Sequence, residues 1–267
     1  MFPVVVSDLD GTLLNKQHQL SPKTKEVLHR LSAQGIKFVF ATGRHYEDVE
    51  QIRSQLGIDM YLITSNGAQV HNPQGELIIE HNIEPELVSS VLSHRHQFAG
   101  QIRGNIYQNT DWYVEEELQE LQDFYKESKF SYQRINFDKI SGNGVQKIFF
   151  VAQNHQELLP LSGLMQEKYG DRLSLTYSLP ECFEIMGAGV SKAMALEEVL
   201  KLKGFEFKDA IAFGDGMNDL QMLSQVGKGL VMGNADRKLV AELPDHEQIG
   251  FCNDDAVAEY LEKQYAC

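Results

Sequence analysis

The sequence predicts an α/β protein whose core is a Rossmann-like, doubly wound parallel sheet, with a second α/β domain inserted into it. Apolar runs at Val4-Val5-Val6, 37–41 and 210–213 show no alternation with polar residues, which is typical of strands buried on both faces of a parallel sheet. The strand and helix pattern continues to Leu62, stops, and resumes at Val190. This interruption indicates an insertion within one layered α/β core.

The first predicted strand ends in two carboxylates, Asp8 and Asp10, which are followed by Gly11. Ligands of parallel sheets bind beyond the carboxyl ends of the strands, and residues two apart lie on the same side of an extended strand. Both carboxylates can therefore meet one ligand. Because adjacent anions repel each other, a cation such as Mg²⁺ is expected beside them. A local turn built from Asp and Gly is the alternative.

The second predicted strand, 37–41, runs into Thr42, Gly43 and Arg44. A hydroxyl group and a mobile backbone at the end of a strand can form a cradle for phosphate. The alternative is an ordinary connection in which Thr42 caps the next helix. His45 follows, and we expect it to be a solvated residue at the start of that helix.

A third segment precedes the helix predicted over 193–203, where Ser191 is the expected helix cap and Lys192 follows it. A cation in the first turn is disfavoured by the helix dipole unless an anion lies opposite it. We therefore expect an anionic group or ligand beside Lys192. The segment is not a nucleotide P-loop, in which the lysine precedes the hydroxyl residue.

The predicted strand over 210–213 runs into Gly-Asp-Gly-Met-Asn-Asp, ahead of a helix that begins near Leu220. Asp215 thus lies at the carboxyl end of a further strand. Asn218 or Asp219 can cap the following helix, but no such local role accounts for Asp215. The four segments together predict one acidic site at one edge of the sheet.

The insertion is expected to span residues 82–187 as an α/β cap, leaving residues 1–81 and 188–267 as the two parts of the core. Glu184 and Ile185, near the return to the core, are candidates for contact with a substrate. The elements predicted inside the cap are helices over 85–98, 116–127 and 155–169 and strands over 102–108, 145–152, 173–178 and 183–186.

Composition limits the partners. The 38 acidic residues exceed the 24 basic ones, the net charge is -14, and no basic block occurs, which argues against nucleic acid. The three cysteines form no CxxC pair, which favours the reducing cytoplasm over a zinc site or a disulfide framework. Neither a signal-like amino terminus nor an apolar run of membrane-spanning length occurs. We expect no membrane partner, a small phosphorylated metabolite as the ligand, and a monomer or small homo-oligomer.

The four segments, in this order, resemble the haloacid dehalogenase (HAD) superfamily over essentially the whole chain. The resemblance is to its Cof-type phosphatase branch, which has a large inserted α/β cap. The phrases FATGRH, ITSNGA, GVSK and AFGDGMNDLQML are most similar to those of bacterial pyridoxal phosphate phosphatases. The resemblance implies a Mg²⁺-dependent phosphatase of small phosphate monoesters, with pyridoxal 5'-phosphate as the first candidate substrate and sugar phosphates next.

The resemblance also implies roles for the matched residues. Asp8 would attack phosphorus and form an aspartyl phosphate, and Asp10 would act first as general acid and then as general base. Mg²⁺ would be held by the side chains of Asp8 and Asp215 and the backbone carbonyl of Asp10, with Asp219 orienting this set. The phosphoryl oxygens would be bound by the backbone amides of Leu9 and Gly43 and by the side chains of Thr42, Lys192 and Asn218.

Three functions are compatible with these residues: a phosphatase, a phosphomutase or phosphotransferase, and a non-catalytic sensor. The dehalogenases of the superfamily lack the second carboxylate, so Asp10 favours a phosphatase over a dehalogenase. A phosphomutase or phosphotransferase would use the same residues and pass the phosphoryl group to another hydroxyl instead of water. A non-catalytic sensor of phosphorylated metabolites would keep the fold and bind without turnover.

Overall fold

The computed structural model describes residues 1–116 and 130–265, which form two β-sheets with helices packed against them. The strands in this part of the chain are β1 (Val4–Ser7), β2 (Lys37–Ala41), β3 (Met60–Thr64), β4 (Gln69–His71), β5 (Leu77–Glu80), β6 (Ile102–Gln108), β7 (Asp111–Val114), β8 (Tyr132–Arg134), β9 (Val145–Ala152), β10 (Leu173–Leu179), β11 (Cys182–Gly187), β12 (Ala210–Gly214), β13 (Lys228–Val231) and β14 (Glu247–Gln248). The α-helices within the same two ranges are α1 (Pro22–Ala33), α2 (Tyr46–Leu56), α3 (Pro85–Ser93), α4 (His155–Tyr169), α5 (Lys192–Leu202), α6 (Leu220–Gln225), α7 (Arg237–Glu242) and α8 (Ala256–Tyr265).

The first sheet has eight strands in the order β14-β13-β12-β1-β2-β3-β4-β5, with β1 parallel to both of its neighbours. Val5 packs into an apolar cluster with residues of α1 and α8, whereas Val4 and Val6 pack into a second cluster with residues of α5 and α6. Helices therefore cover both faces of this sheet, which explains why the first strand is apolar without alternation. The predicted doubly wound core is confirmed.

At one edge of this sheet, β4 and β5 form an antiparallel hairpin. Its turn is closed by a hydrogen bond of 2.9 Å from the amide of Gly75 to the carbonyl of Asn72. The chain then leaves the first sheet between Glu80 and Pro85 and returns to it between Gly187 and Lys192.

In the described part of the insertion, the second sheet has six strands in the order β10-β11-β9-β6-β7-β8. Alternate residues of its central strands pack into an apolar cluster with α3 and α4, for example Ile106, Ile148 and Phe150. Residues of the opposite face, among them Lys147 and Glu184, contact the ends of strands of the first sheet. This second layer is the α/β insertion that the sequence predicts.

The helix over 155–169 and the strands over 102–108 and 145–152 lie where the sequence predicts them. The helix predicted over 85–98 ends at Ser93 and continues as a 3-10 segment to Phe98. The predicted helix over 116–127 lies outside the described residues, apart from its first residue. None of the helices within 1–116 and 130–265 combines the length and the apolar character needed to cross a membrane.

Candidate active site

The candidate site lies where β1, β2 and β12 end side by side. Ser7 of β1 is level with Phe40 on one side and with Phe213 on the other. The next residues along these strands include Asp8, whose amide donates to the carbonyl of Phe213 at 3.0 Å, and Thr42. This is the edge of a parallel sheet at which ligands bind.

Lys192 connects two carboxylates within the site. Its Nζ lies 2.7 Å from Oδ1 of Asp8 and 2.7 Å from Oδ1 of Asp219, and all three side chains are buried. Ser191 caps α5 by accepting a hydrogen bond of 3.1 Å from the amide of Met194. The helix start thus carries Lys192 into the site, and the anion expected opposite it is the pair of carboxylates.

Asp215 approaches the same site from the end of β12. Its Oδ1 accepts a hydrogen bond of 2.9 Å from Oγ1 of Thr12. Gly11 makes this approach possible, because its φ is +74° and a Cβ at that position would lie 2.2 Å from Oδ2 of Asp215. The second oxygen of Asp219 accepts from the amides of Asp215 and Gly216, each at 3.0 Å, and so fixes the loop.

Asp8, Asp215 and Asp219 each place one carboxylate oxygen in a group whose members lie within 4.8 Å of one another. Burial raises the pKa of Asp8 and of Asp215 above the ordinary value of a carboxyl group; Lys192 opposes this rise, and the neighbouring carboxylates add to it. Burial alone would lower the pKa of Lys192, but the charges of Asp219 and Asp8 outweigh it and raise that pKa. When they are ionised, three carboxylates against one ammonium group leave an excess of negative charge, which explains the raised pKa values, and the donors are hard oxygens. This donor set fits a divalent cation such as Mg²⁺.

The carboxylate of Asp10 belongs to a separate group. It accepts from Nε of Arg44 at 2.6 Å and from Nη2 at 2.5 Å, and it lies 2.9 Å from Nδ1 of His18. Burial would raise the pKa of Asp10, but the charge and hydrogen bonds of Arg44, followed by those of His18, outweigh it, so that this pKa lies below its ordinary range. The sequence predicts that Asp8 and Asp10 meet one ligand, whereas here their side chains have different partners.

The residues predicted to bind phosphoryl oxygens surround the same strand ends. Leu9 follows Asp8 directly, and its side chain is buried in the core. Thr42 is buried, and its Oγ1 accepts from the amide of Arg44 at 3.2 Å. The side-chain amide of Asn218 donates to Oδ1 of Asn66 at 3.1 Å.

The expectation of a solvated His45 is wrong. This residue is buried, its Nδ1 accepts from the amide of Glu47 at 3.2 Å, and its Nε2 donates to the carbonyl of Asn109 at 2.9 Å. Its ring stacks on Phe130 with centroids 4.7 Å apart. His45 therefore caps α2 and joins it to the turn between β6 and β7, a long-range contact that no local pattern indicates.

The sequence did not identify three residues that contact the site: His18 beside Asp10, Asn66 beside Asn218, and Lys147 beside Gly43. His18 and Asn66 have positive φ values of 57° and 58°, and Lys147 lies in the apolar run of β9. A charged residue inside a buried strand is the one signal that could have identified Lys147, because lysine is almost never fully buried unless it is paired.

Comparison with known proteins gives consistent results. A protein of Cronobacter sakazakii named HMP-PP phosphatase is 36% identical over 254 residues, which cover 95% of this chain and 92% of that protein. The solved structure of a haloacid dehalogenase-like hydrolase from B. subtilis is 25% identical, with a TM-score of 0.87 over 97% of this chain and 99% of its own. A subclass IIB sugar phosphatase shares the fold, with a TM-score of 0.82 over 98% of each chain and an identity of 20%.

The model of a family described as haloacid dehalogenase-like hydrolase matches residues 5–261. The match includes all four segments that carry the site, together with the whole of the second sheet. With the similar proteins, it confirms the superfamily, the fold class and the class of enzyme that the sequence predicts, a phosphatase-type hydrolase. The chain belongs to the haloacid dehalogenase-like hydrolase family.

Proposed function

We propose that this protein is a Mg²⁺-dependent phosphatase that hydrolyses small phosphate monoesters through an aspartyl phosphate on Asp8. The observation that carries the proposal is the buried convergence of Asp8, Asp215, Asp219 and Lys192 at the carboxyl end of the central strand. The proposal includes the division of the chain into a core, residues 1–81 and 188–267, and a cap, residues 82–187.

Mg²⁺ would be held by the side chains of Asp8 and Asp215 and by the backbone carbonyl of Asp10. When bound, the ion would neutralise charge between the phosphate and the carboxylates. Asp219 would orient the set, because it holds the amides of Asp215 and Gly216 and the ammonium group of Lys192.

Asp8 would be the nucleophile. A bond forms between one of its carboxylate oxygens and phosphorus, while the bond between phosphorus and the ester oxygen breaks and the alcohol leaves on the opposite side. Lys192, already 2.7 Å from Oδ1 of Asp8, is placed to stabilise charge on the transferred group. Thr42, Asn218 and the amides of Leu9 and Gly43 would supply further donors to the phosphoryl oxygens.

Asp10 would protonate the leaving oxygen in the first step. In the second step it would take a proton from the attacking water, whose oxygen forms a bond to phosphorus while the bond between phosphorus and Asp8 breaks, which releases inorganic phosphate and the free carboxylate. The second role suits the ionised carboxylate that Arg44 holds here. The first role requires Asp10 to leave Arg44 and take up a proton, so the substrate must open this pair when it binds. Arg44 thus keeps Asp10 ready as a base and opposes its action as an acid.

Pyridoxal 5'-phosphate is the first candidate substrate, because the sequence motifs resemble those of pyridoxal phosphate phosphatases, and sugar phosphates come next. The names of the similar proteins include HMP-PP phosphatase and sugar phosphatase, which supports a small phosphorylated metabolite as the class of substrate.

The test is release of inorganic phosphate from pyridoxal 5'-phosphate and from sugar phosphates, with Mg²⁺ or with EDTA. We expect Mg²⁺-dependent release that is lost in Asp8→Asn and kept in Asp245→Asn, which changes an exposed aspartate. Transfer of the phosphoryl group to a second hydroxyl without free phosphate would indicate a phosphotransferase. Stoichiometric binding without turnover would indicate a sensor, and either result would overturn the proposal.

A further inference from the structure

A buried polar group joins the second sheet to the first. It consists of Lys147 on β9, Glu184 on β11 and Asn66 after β3, and we call these three residues the bridging triad. Nζ of Lys147 donates to Oε1 of Glu184 at 2.6 Å and to the carbonyl of Gly43 at 2.5 Å. Nδ2 of Asn66 donates to Oε2 of Glu184 at 2.6 Å. Both oxygens of Glu184 therefore accept hydrogen bonds, Oε1 from a residue of the second sheet and Oε2 from a residue that follows a strand of the first sheet.

Stability of the fold does not account for these charges. The side chains of Lys147 and Glu184 are each only 3% exposed. A buried ion pair is weak support for a fold, because apolar residues of similar volume often replace such a pair without loss. Nζ of Lys147 also lies 4.8 Å from the ring centroids of Tyr107 and Phe149, so apolar neighbours are already in place. Recognition of a bound ligand would account for the burial of the ion pair between Lys147 and Glu184.

The bridging triad lies directly beside the residues proposed to bind the phosphoryl group. Lys147 donates to Gly43, and Oδ1 of Asn66 accepts from Asn218. A Cβ atom at Gly43 would lie 3.1 Å from Oδ1 of Asn66 and 3.6 Å from Oε1 of Glu184. A ligand atom in contact with Gly43 is therefore within reach of the triad.

The direction of the reaction points the leaving group toward the second sheet. Asp8 reaches the site from the first sheet, and in phosphoryl transfer the attacking and leaving oxygens lie roughly in line on opposite sides of phosphorus. In the second sheet, Lys147 contacts Gly43, and Glu184 contacts Asn66. Part of the leaving group would thus lie beside them.

We propose that the bridging triad binds the leaving group of the substrate and so selects among phosphate esters. This inference rests on the proposed phosphatase function. Lys147 offers N–H donors and Glu184 offers acceptor oxygens side by side. The matching leaving group carries an acceptor and a donor close together, such as adjacent hydroxyls or a hydroxyl beside a carbonyl on a heterocycle. It would replace the hydrogen bond from Lys147 to Gly43.

The test compares kcat/KM for pyridoxal 5'-phosphate and glucose 6-phosphate with kcat/KM for phenyl phosphate, whose leaving group lacks such a pair. In Glu184→Gln and Lys147→Met we expect the ratio of the better polar ester to phenyl phosphate to fall about tenfold or more, chiefly through KM. Glu167→Gln is the matched control, because it changes an exposed carboxylate of α4, and its ratio should equal that of the wild type.

The double variant Lys147→Met/Glu184→Gln keeps the test valid where a single variant leaves one buried charge unpaired and does not fold. We expect the same fall in the ratio. A ratio within about twofold of the wild type in the folded variants would overturn the triad's role while leaving the phosphatase proposal intact. If the wild type releases phosphate from none of the three esters, the proposed function fails, and the leaving-group site fails with it.

Discussion

Arg44 binds Asp10 with two nitrogen atoms of its guanidinium group, Nε at 2.6 Å and Nη2 at 2.5 Å. The remaining nitrogen, Nη1, donates to Oδ2 of Asp48 at 2.7 Å, and Asp48 is fully buried in the first turns of α2. The guanidinium group of Arg44 therefore pairs with two carboxylates at once, that of Asp10 in the site and that of Asp48 in the protein interior. Lysine could not replace Arg44 here, because a single ammonium nitrogen cannot donate to both oxygens of Asp10 and to Asp48 in the planar geometry of a guanidinium group.

The shared cation predicts a loss of stability in Arg44→Met, and also a loss of activity, because Asp10 loses the partner that keeps it ionised and oriented as a base. Because this change leaves the buried charge of Asp48 unpaired, we expect the free energy of unfolding to fall by about 3 kcal/mol. Urea denaturation followed by circular dichroism measures it. The double variant Arg44→Met/Asp48→Asn should regain much of the stability and none of the activity. An unfolding free energy of Arg44→Met equal to that of the wild type would contradict the prediction.

The excess of carboxylates predicts that Mg²⁺ stabilises the native protein. A ligand that binds only the native state adds about 2.7 kcal/mol at 100 times its Kd. Asp215→Asn removes one anionic ligand and one source of repulsion, so we expect this variant to be more stable than the wild type in EDTA and to gain little from Mg²⁺. Calorimetry in both conditions tests this.

Glu247→Gln on β14 is the control for that experiment, because its side chain is 51% exposed. Its unfolding temperature should respond to Mg²⁺ as the wild type does. A full response in Asp215→Asn would mean that Mg²⁺ binds somewhere else.

His45 predicts how stability changes with pH. Burial, followed by the charge of Lys147, lowers the pKa of His45 from 6.5 to about 4 in the folded protein, although its hydrogen bond to Asn109 opposes this shift. Below pH 6.5 the unfolded chain therefore takes up a proton that the folded chain takes up only near pH 4. The stability from neutral His45 is present above pH 6.5 and is lost as the pH falls, and the full shift corresponds to about 3 kcal/mol.

Unfolding free energies of the wild type and His45→Asn between pH 7 and pH 4 test this dependence. Asparagine keeps a helix cap but has no ring to titrate, so the curve of the variant should be flatter. Burial, followed by the charge of His45, also lowers the pKa of His71 to about 4. His71 remains in both proteins, so the part of its contribution that comes from burial cancels in the comparison. Parallel curves for the two proteins would show that His45 does not contribute.

Gly11 and Gly35 offer a matched pair of substitutions. Both have positive φ values, 74° and 89°, so alanine costs about 1 kcal/mol of backbone strain at either position. A Cβ at Gly11 would strike Asp215, whereas none of the described atoms lies within 4 Å of a Cβ at Gly35. We expect Gly11→Ala to lose phosphatase activity and the response to Mg²⁺, and Gly35→Ala to keep both. Steady-state kinetics decide, and equal activities would contradict the role given to Gly11.

The strand ends of the site could be predicted because they depend on local patterns. Apolar runs without alternation locate β1 and β12, and the carboxylates that follow them, Asp8 and Asp215, converge as expected for parallel neighbours. The contacts of Arg44 with Asp10 and of Lys147 with Glu184 could not be predicted. They depend on how loops and a second sheet pack against those strand ends. The partners are 34 positions apart in the first contact and 37 in the second, so no short motif indicates either contact.

The position of β1 in the first sheet also affects synthesis of the protein. β1 needs β12 on one side, and β12 begins at Ala210, whereas all strands of the second sheet lie between Ile102 and Gly187. On the ribosome, every pairing of the second sheet is available before the central strand of the first sheet can acquire its last neighbour. The apolar edge of β1 stays unpaired throughout that interval, so we expect the nascent chain to be prone to aggregation until β12 has been synthesised.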